Sequence, residues 1–253
     1  MSAHTLCFDL RGASVHLGPA RRHAALVGVD LRIAPGERVA LVGANGSGKS
    51  TLLRTLHGLQ RISAGSLYKA PGLREAMLFQ RPHMLRLSVW RNIALGVWLQ
   101  GVPWSQARAL APQALARVGM APLAGRPARA LSGGQQQRLA LARAWALKPD
   151  VWLLDEPTAS LDPHAKREVE SLIAEFTQAG RADGPGEGGQ RAQPTTLVFS
   201  SHNLGQVKRL ASRVLYLEQG HLLADLPVND FFNHELLQAQ CPAAHLFVKG
   251  EGL

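Results

Sequence analysis

The sequence predicts an α/β protein with a parallel sheet and a phosphate-binding loop at the end of a central strand. Three observations carry this. Gly43-Ala44-Asn45-Gly46-Ser47-Gly48-Lys49-Ser50-Thr51 fits the form G-x-x-x-x-G-K-[ST], between a strand-like and a helix-like segment. Val151-Trp152-Leu153-Leu154 is wholly apolar and ends in Asp155-Glu156, as a strand buried on both faces would read. Strand-like and helix-like segments alternate along the chain, which favours parallel strands joined by helices.

Taken in order, residues 29–33 alternate apolar and polar, the period of a half-buried strand. Pro35-Gly36-Glu37 is a turn, and residues 38–42 form a short strand. The phosphate loop follows, then a helix over 50–57 with Gly58 as its stop. Residues 88–130 are helical, rich in Ala, Leu, Arg and Trp, and divided by Pro103, Pro112, Pro122 and Pro127. A helix over 139–147 ends before Pro149, and 165–179 is an amphipathic helix. The Gly- and Pro-rich stretch 180–194 cannot build a core and is expected to be a mobile surface loop. Residues 195–200 form another buried strand. Residues 214–217 and 221–224 form a hairpin around Gln219-Gly220.

Composition narrows the class. The chain has 253 residues, enough for one large domain with an insertion. It carries 28 Lys and Arg against 18 Asp and Glu, a formal charge of +10. That balance favours acidic partners without choosing among them. The basic residues read as dispersed rather than gathered in one tract. Cys7 and Cys241 stand far apart and are expected to be reduced thiols. The first ten residues have no secretory pattern, and no stretch reaches the ~18 apolar residues of a membrane helix.

The motifs point to phosphate chemistry. Glycines let the backbone wrap phosphates with its N–H groups inward, and the following helix N-terminus favours anions. Lys49 is placed to reach the β- and γ-phosphates, and the Ser50 hydroxyl to bind Mg²⁺. Asp155 is placed to hold Mg²⁺ and Glu156 to polarise the attacking water as general base. Leu131-Ser132-Gly133-Gly134-Gln135-Gln136-Gln137-Arg138 opens an apolar helix with a second anion site. A second site suits another molecule's nucleotide.

That last segment resembles the signature of ABC-type ATPases, and the remaining motifs of the family follow in order. Gln80 resembles the Q-loop glutamine, Ser160-Leu161-Asp162 the D-loop, and His202 the switch histidine. The resemblance spans residues 43–202. It implies a core with an N-terminal antiparallel β subdomain and an inserted helical subdomain, here about 88–147 between core segments 1–87 and 148–253. It implies ATP and Mg²⁺, and a head-to-tail dimer in which Ser132, Gly133, Gly134 and Gln135 close on the partner copy's nucleotide. In that frame Gln80 contacts Mg²⁺ and the attacking water, His202 contacts the γ-phosphate, and Asp162 crosses the dimer interface. The family's adenine-stacking aromatic is replaced: the region reads Val15-His16-Leu17-Gly18, so His16 or an apolar contact must serve.

A soluble ABC-type ATPase of nucleic acid or ribosomes is the alternative. Such relatives carry long coiled coils or two cassettes, and this chain has one cassette and no heptad run, so no nucleic acid is expected as partner. The expected partners are an integral membrane permease and, indirectly, an extracytoplasmic solute-binding protein, with the chain at the cytoplasmic face of the inner membrane. The segment 79–93 resembles that of bacterial oxyanion importers of the phosphate, tungstate and molybdate kind, and 201–232 with the ending 247–251 is most similar to tungstate-type ATPases, with another ABC importer or exporter, for phosphate or molybdate, as the further alternative. Trp90, Trp98 and Trp104 lie where the permease docks in this family, and at least one is expected to line a groove for a partner helix.

Overall fold

A computed structural model describes residues 6–18, 23–178 and 195–251. The expected loop 180–194 lies outside the described residues. The central sheet holds six strands in the order β5-β6-β7-β3-β8-β9: Glu75–Leu78, Val151–Asp155, Thr196–Ser200, Arg38–Val42, Arg213–Glu218 and His221–Pro227. All its neighbours are parallel except the closing hairpin β8–β9. A second, antiparallel sheet has the order β2-β1-β4, from Phe8–Leu17 (β1), His23–Ile33 (β2) and Ala64–Lys69 (β4).

The alternation within each strand of the large sheet assigns its residues to two cores. In β6, Trp152 and Leu154 face the helical side while Val151 and Leu153 face the antiparallel sheet. In β3, Ala40 and Val42 join the first core, and Val39 and Leu41 the second. Helix α1 (Lys49–His57) buries Leu52, Leu53 and Leu56 in the second core. A strand with apolar residues on both faces thus becomes the wall between two layers, which is why these runs lack alternation in sequence.

Between β5 and β6 stand helices α2 (Val89–Leu99), α3 (Trp104–Arg117) and α4 (Gly133–Ala146). Pro103 and Pro127 sit at element starts, as expected, and Pro122 lies in a 3₁₀ turn. Pro112 does not divide its helix: α3 runs through it. Proline removes one backbone bond, but Ala107, Ala111, Ala114 and Leu115 are buried along this helix and their packing holds it together. Helix α4 starts at Gly133, earlier than its apolar run, because Ser132 caps it. Helix α5 (Pro163–Gln178) follows β6, and α6 (Leu204–Leu210) follows β7. The predicted hairpin is present, with Gln219 at φ 47° and Gly220 at φ 83°. Two positive φ values in a two-residue loop match the strand twist. Both cysteines are buried free thiols. Among the described residues no helix is long and apolar enough to cross a membrane.

Candidate functional site

Strand order places the site. In open α/β sheets, the crevice outside the strands' carboxyl ends collects ligands. Strand β3 pairs with β7 on one side and β8 on the other, and its carboxyl end runs into the loop 43–48. Asp155 ends β6 and pairs in register with Ser200, which ends β7. The phosphate loop, the carboxylate pair and the turn after β7 therefore share one sheet edge.

The loop has little room for side chains. Gly43 lies at φ 141°, and a Cβ there would collide with the Leu217 carbonyl. Gly48 lies at φ 108°, and its Cβ would sit 2.5 Å from the Ala25 carbonyl oxygen. Only glycine enters such positions without strain. Gly46 has φ 80°, and Asn45 is exposed at the loop's crest. The hairpin braces the loop from behind: Gly220 N–H donates to the Ser47 carbonyl at 3.1 Å, and Val27 N–H donates to the Gly220 carbonyl at 2.9 Å. The Ser47 hydroxyl is buried with no hydrogen-bond partner among the described residues. Lys49 Nζ donates to the carbonyls of Gly43 at 2.7 Å and Ala44 at 2.8 Å. Thr51 sits in the first turn of α1, its carbonyl accepting from Thr55.

The acids are held by hydroxyls. Ser50 Oγ donates to Asp155 Oδ1 at 2.9 Å, and Ser200 Oγ donates to the same oxygen at 2.8 Å. Ser200 Oγ also accepts from Glu156 N–H at 2.9 Å. Glu156 adopts φ 45°, a left-handed conformation that costs a non-glycine residue energy and persists only where surroundings impose it. Its carboxylate is gripped at both oxygens. Gln80 Nε2 donates to Oε2 at 3.3 Å, and His202 Nε2 lies 2.9 Å from Oε1. All three residues named from sequence as Q-loop, base and switch therefore meet on one carboxylate.

The turn that carries His202 is held by a network with little signal in the sequence. Ser201 Oγ donates to Gln206 Oε1 at 2.7 Å and accepts from Asn203 N–H at 3.0 Å. Gln206 Nε2 donates to Thr158 Oγ1 at 3.1 Å, tying the turn to the segment after Glu156. Gln206 is fully buried. Its only sequence signal is a glutamine on the inner face of a short helix. Ser200, at the end of an apolar strand, carries no stronger signal.

The signature residues form a cap. Gln135 N–H donates to Ser132 Oγ at 3.3 Å, and Ser132 N–H donates to Gln135 Oε1 at 3.0 Å, a reciprocal capping box. Ser132 and Gly133 are exposed, and a Cβ on Gly134 would press to 3.1 Å against Ala165 Cβ of α5. Asp162 accepts from the N–H groups of His164 at 2.9 Å and Ala165 at 3.0 Å. The Ala165 bond above all holds the Asp162 carboxyl below its ordinary pKa. On the nucleotide's expected adenine side, His16 is exposed and Leu17 packs partly against the second core.

Beside Gln80 opens a cleft of about 490 Å³, lined among others by Phe79, Leu85, Leu95, Leu99 and Arg143. None of the three tryptophans expected at a groove lines it. Trp90, Trp98 and Trp104 instead pack on one another, at 6.2 Å between Trp90 and Trp104 and 6.4 Å between Trp98 and Trp104.

Comparison with known proteins agrees with this geometry. A family model described as ABC transporter matches residues 26–159, more than half of the chain. A nickel import ATP-binding protein of Rhodobacter capsulatus is 43% identical over 223 residues, 80% of this chain and 83% of that protein. A glutamine transport ATP-binding protein of Escherichia coli is 34% identical over 233 residues, 86% and 90% of the two chains. Among solved structures, a dimeric post-hydrolysis state of an ATP-binding cassette bound to ADP and Pi superposes with TM-score 0.73 at 25% identity, over 87% of this chain and 98% of that one. With its phosphate loop, signature cap and gripped carboxylate in one frame, the chain belongs to the ABC transporter family, as an ATP-hydrolysing cassette that binds ATP with Mg²⁺.

Proposed function

We propose that this chain is the motor subunit of a membrane importer, working as a head-to-tail pair of copies beneath an integral permease at the cytoplasmic face. The observation that carries the catalytic reading is the grip of Gln80 and His202 on Glu156, beside the Ser50–Asp155 pair. Gly43, Asn45, Gly46, Ser47 and Gly48 cradle the phosphates with their N–H groups. The unpaired Ser47 hydroxyl is a further donor in that cradle. Lys49 leaves its two loop carbonyls for the β- and γ-phosphates, and Ser50 and Thr51 lie beneath them. Ser50, Gln80 and Asp155 would hold Mg²⁺, which would supply charge neutralisation to the phosphates. Glu156 orients the attacking water and takes up its proton, and His202 stabilises charge on the γ-phosphate. Ser132, Gly133, Gly134 and Gln135 of one copy close on the nucleotide of the other, with Asp162 at the junction. The apolar cleft at Phe79 adjoins Gln80 and suits a short partner helix, so a permease seated there would sense the glutamine.

Ser200 is a positioning residue in this reading, because it joins Asp155 to the backbone of Glu156. Ser200→Ala leaves a buried carboxylate oxygen and an N–H with one partner fewer. It should slow ATP hydrolysis by roughly 5- to 100-fold while ATP affinity changes little. Steady-state kinetics would reject the role if kcat were unchanged, or if only KM moved.

For cargo, the segments 79–93 and 201–232 favour an oxyanion such as tungstate, delivered by a solute-binding protein outside the membrane. The 43%-identical nickel relative favours nickel as the second reading. Deleting the chain's gene from its native cells and measuring accumulated metal by elemental mass spectrometry separates them. Loss of tungstate uptake, restored by the wild-type chain, supports the first. Loss of nickel uptake with tungstate unaffected transfers the cargo to the second.

A further inference from the structure

Divided by the folded units, the charge is not dispersed. Residues 76–149, from β5 to the turn before β6, hold ten of the 28 Lys and Arg and none of the 18 Asp and Glu. The rest of the chain holds eighteen of each. The entire excess of +10 therefore sits on the helical part and the turns that join it to the sheet.

Elsewhere basic residues find acids, as Arg209 does on Glu170 and Arg213 on Asp225. In this segment Arg117 and Arg138 reach across to Glu175 and Glu168 of α5. Arg86, Arg91, Arg108, Arg126 and Arg129 have no ion pair among the described residues. Three of them, Arg86, Arg91 and Arg129, line one cleft of about 430 Å³. Arg91 links that cleft to the tryptophans: its guanidinium lies 5.3 Å from the Trp90 ring centre, and that of Arg108 5.8 Å. Where α2 ends and α3 begins, Trp98 is 49%, Leu99 70% and Trp104 42% exposed.

Cations beside exposed tryptophan and leucine fit a surface that is anionic outside and apolar beneath. Tryptophan seats its ring at the headgroup level, and arginine pairs with phosphate while its stem lies on apolar surface. Single-stranded nucleic acid fits less well. Its bases need open ring faces, and Trp98 and Trp104 meet edge to face at 88°, while Leu99 offers no face at all.

We propose that the α2–α3 tip and the adjoining arginine cleft dock on an anionic phospholipid surface. Headgroup phosphates sit at Arg86, Arg91 and Arg129, and Trp98 and Trp104 enter the headgroup–acyl boundary. The inference stands apart from the cargo and catalytic readings, since it needs neither permease nor nucleotide.

The purified full chain, sedimented with vesicles, tests it. Binding is expected to vesicles containing phosphatidylglycerol, to weaken with salt, and to be absent with phosphatidylcholine alone. Replacing Arg86, Arg91 and Arg129 together by Ala should lower affinity on the order of 100-fold, about fivefold per arginine. Trp98→Ala with Trp104→Ala should weaken it further. ATP hydrolysis by these variants should match the wild type, which verifies folding. The charge-matched control, Arg54, Arg61 and Lys208 to Ala, should bind vesicles normally. Equal binding to both vesicle types overturns the proposal. So does an equal loss in the control, or binding of poly-glutamate or a DNA oligonucleotide through the same arginines without vesicle binding.

Discussion

Replacing Glu156 by Gln should leave a chain that binds ATP, pairs with its partner copy and scarcely turns over. The carboxylate is the point on which Gln80 and His202 converge, and the amide cannot take up the water's proton. General-base removal lowers rates by roughly 100- to 10,000-fold. The substitution also sets an amide NH₂ against a neighbour: with one oxygen toward His202, the new nitrogen faces the Gln80 donor. The left-handed backbone at Glu156 is fixed by Ser200 through the main chain, so it does not depend on the side chain. Phosphate release in a single turnover, with labelled ATP followed on gel filtration, reads both effects. Turnover within a few-fold of wild type, or ATP that fails to be retained, would reject Glu156 as the base.

Lys49→Ala should act earlier, on ATP binding. The ammonium lies in the loop's hollow, donating to the carbonyls of Gly43 and Ala44. Two charge-assisted bonds at one centre are the natural counterpart of two phosphate groups. Removal takes away that charge and leaves both carbonyls short of a donor, that of Gly43 in a buried place. Each charged bond contributes about 1.5–3 kcal/mol, so affinity for a fluorescent ATP analogue should fall by 100-fold or more. Lys49→Arg would keep the charge, but its larger planar fork would not fit the same hollow. Nanomolar or micromolar affinity equal to wild type in Lys49→Ala would show that the loop binds through its backbone alone.

The parts legible in the sequence were those with a local grammar. The glycine spacing of 43–48, the apolar run into Asp155-Glu156 and the Gln219-Gly220 turn each announce a backbone shape within a few residues. The antiparallel sheet was harder to see. Strand β1 pairs with β2 through register shifts between Leu10 and Ala13, and again before Val15 and His16, and each shift breaks the two-residue period. Ser200 and Gln206 were invisible for a different reason. A serine at the end of an apolar strand and a glutamine in a short helix acquire meaning only from partners 45 and 48 residues away, Asp155 and Thr158. The tryptophans lie on the helices α2 and α3, but periodicity does not say which exposed face borders a cleft, and none of the three lines the one at Phe79. Charge is hidden for a related reason: ten basic residues spread along 74 positions form no tract in the sequence, and only the fold gathers them.

The brace behind the phosphate loop has a thermodynamic consequence. Gly220 touches Ser47 and Val27 through backbone bonds, so strand β2, the loop and the β8–β9 hairpin form one cooperative unit drawn from three distant parts of the chain. Occupancy of the loop and order in the hairpin are then linked functions. Any factor by which an intact hairpin tightens nucleotide binding is the same factor by which nucleotide protects the hairpin from opening. A lesion at residue 220 would be felt first as lost affinity, and an empty loop as a hairpin that frays.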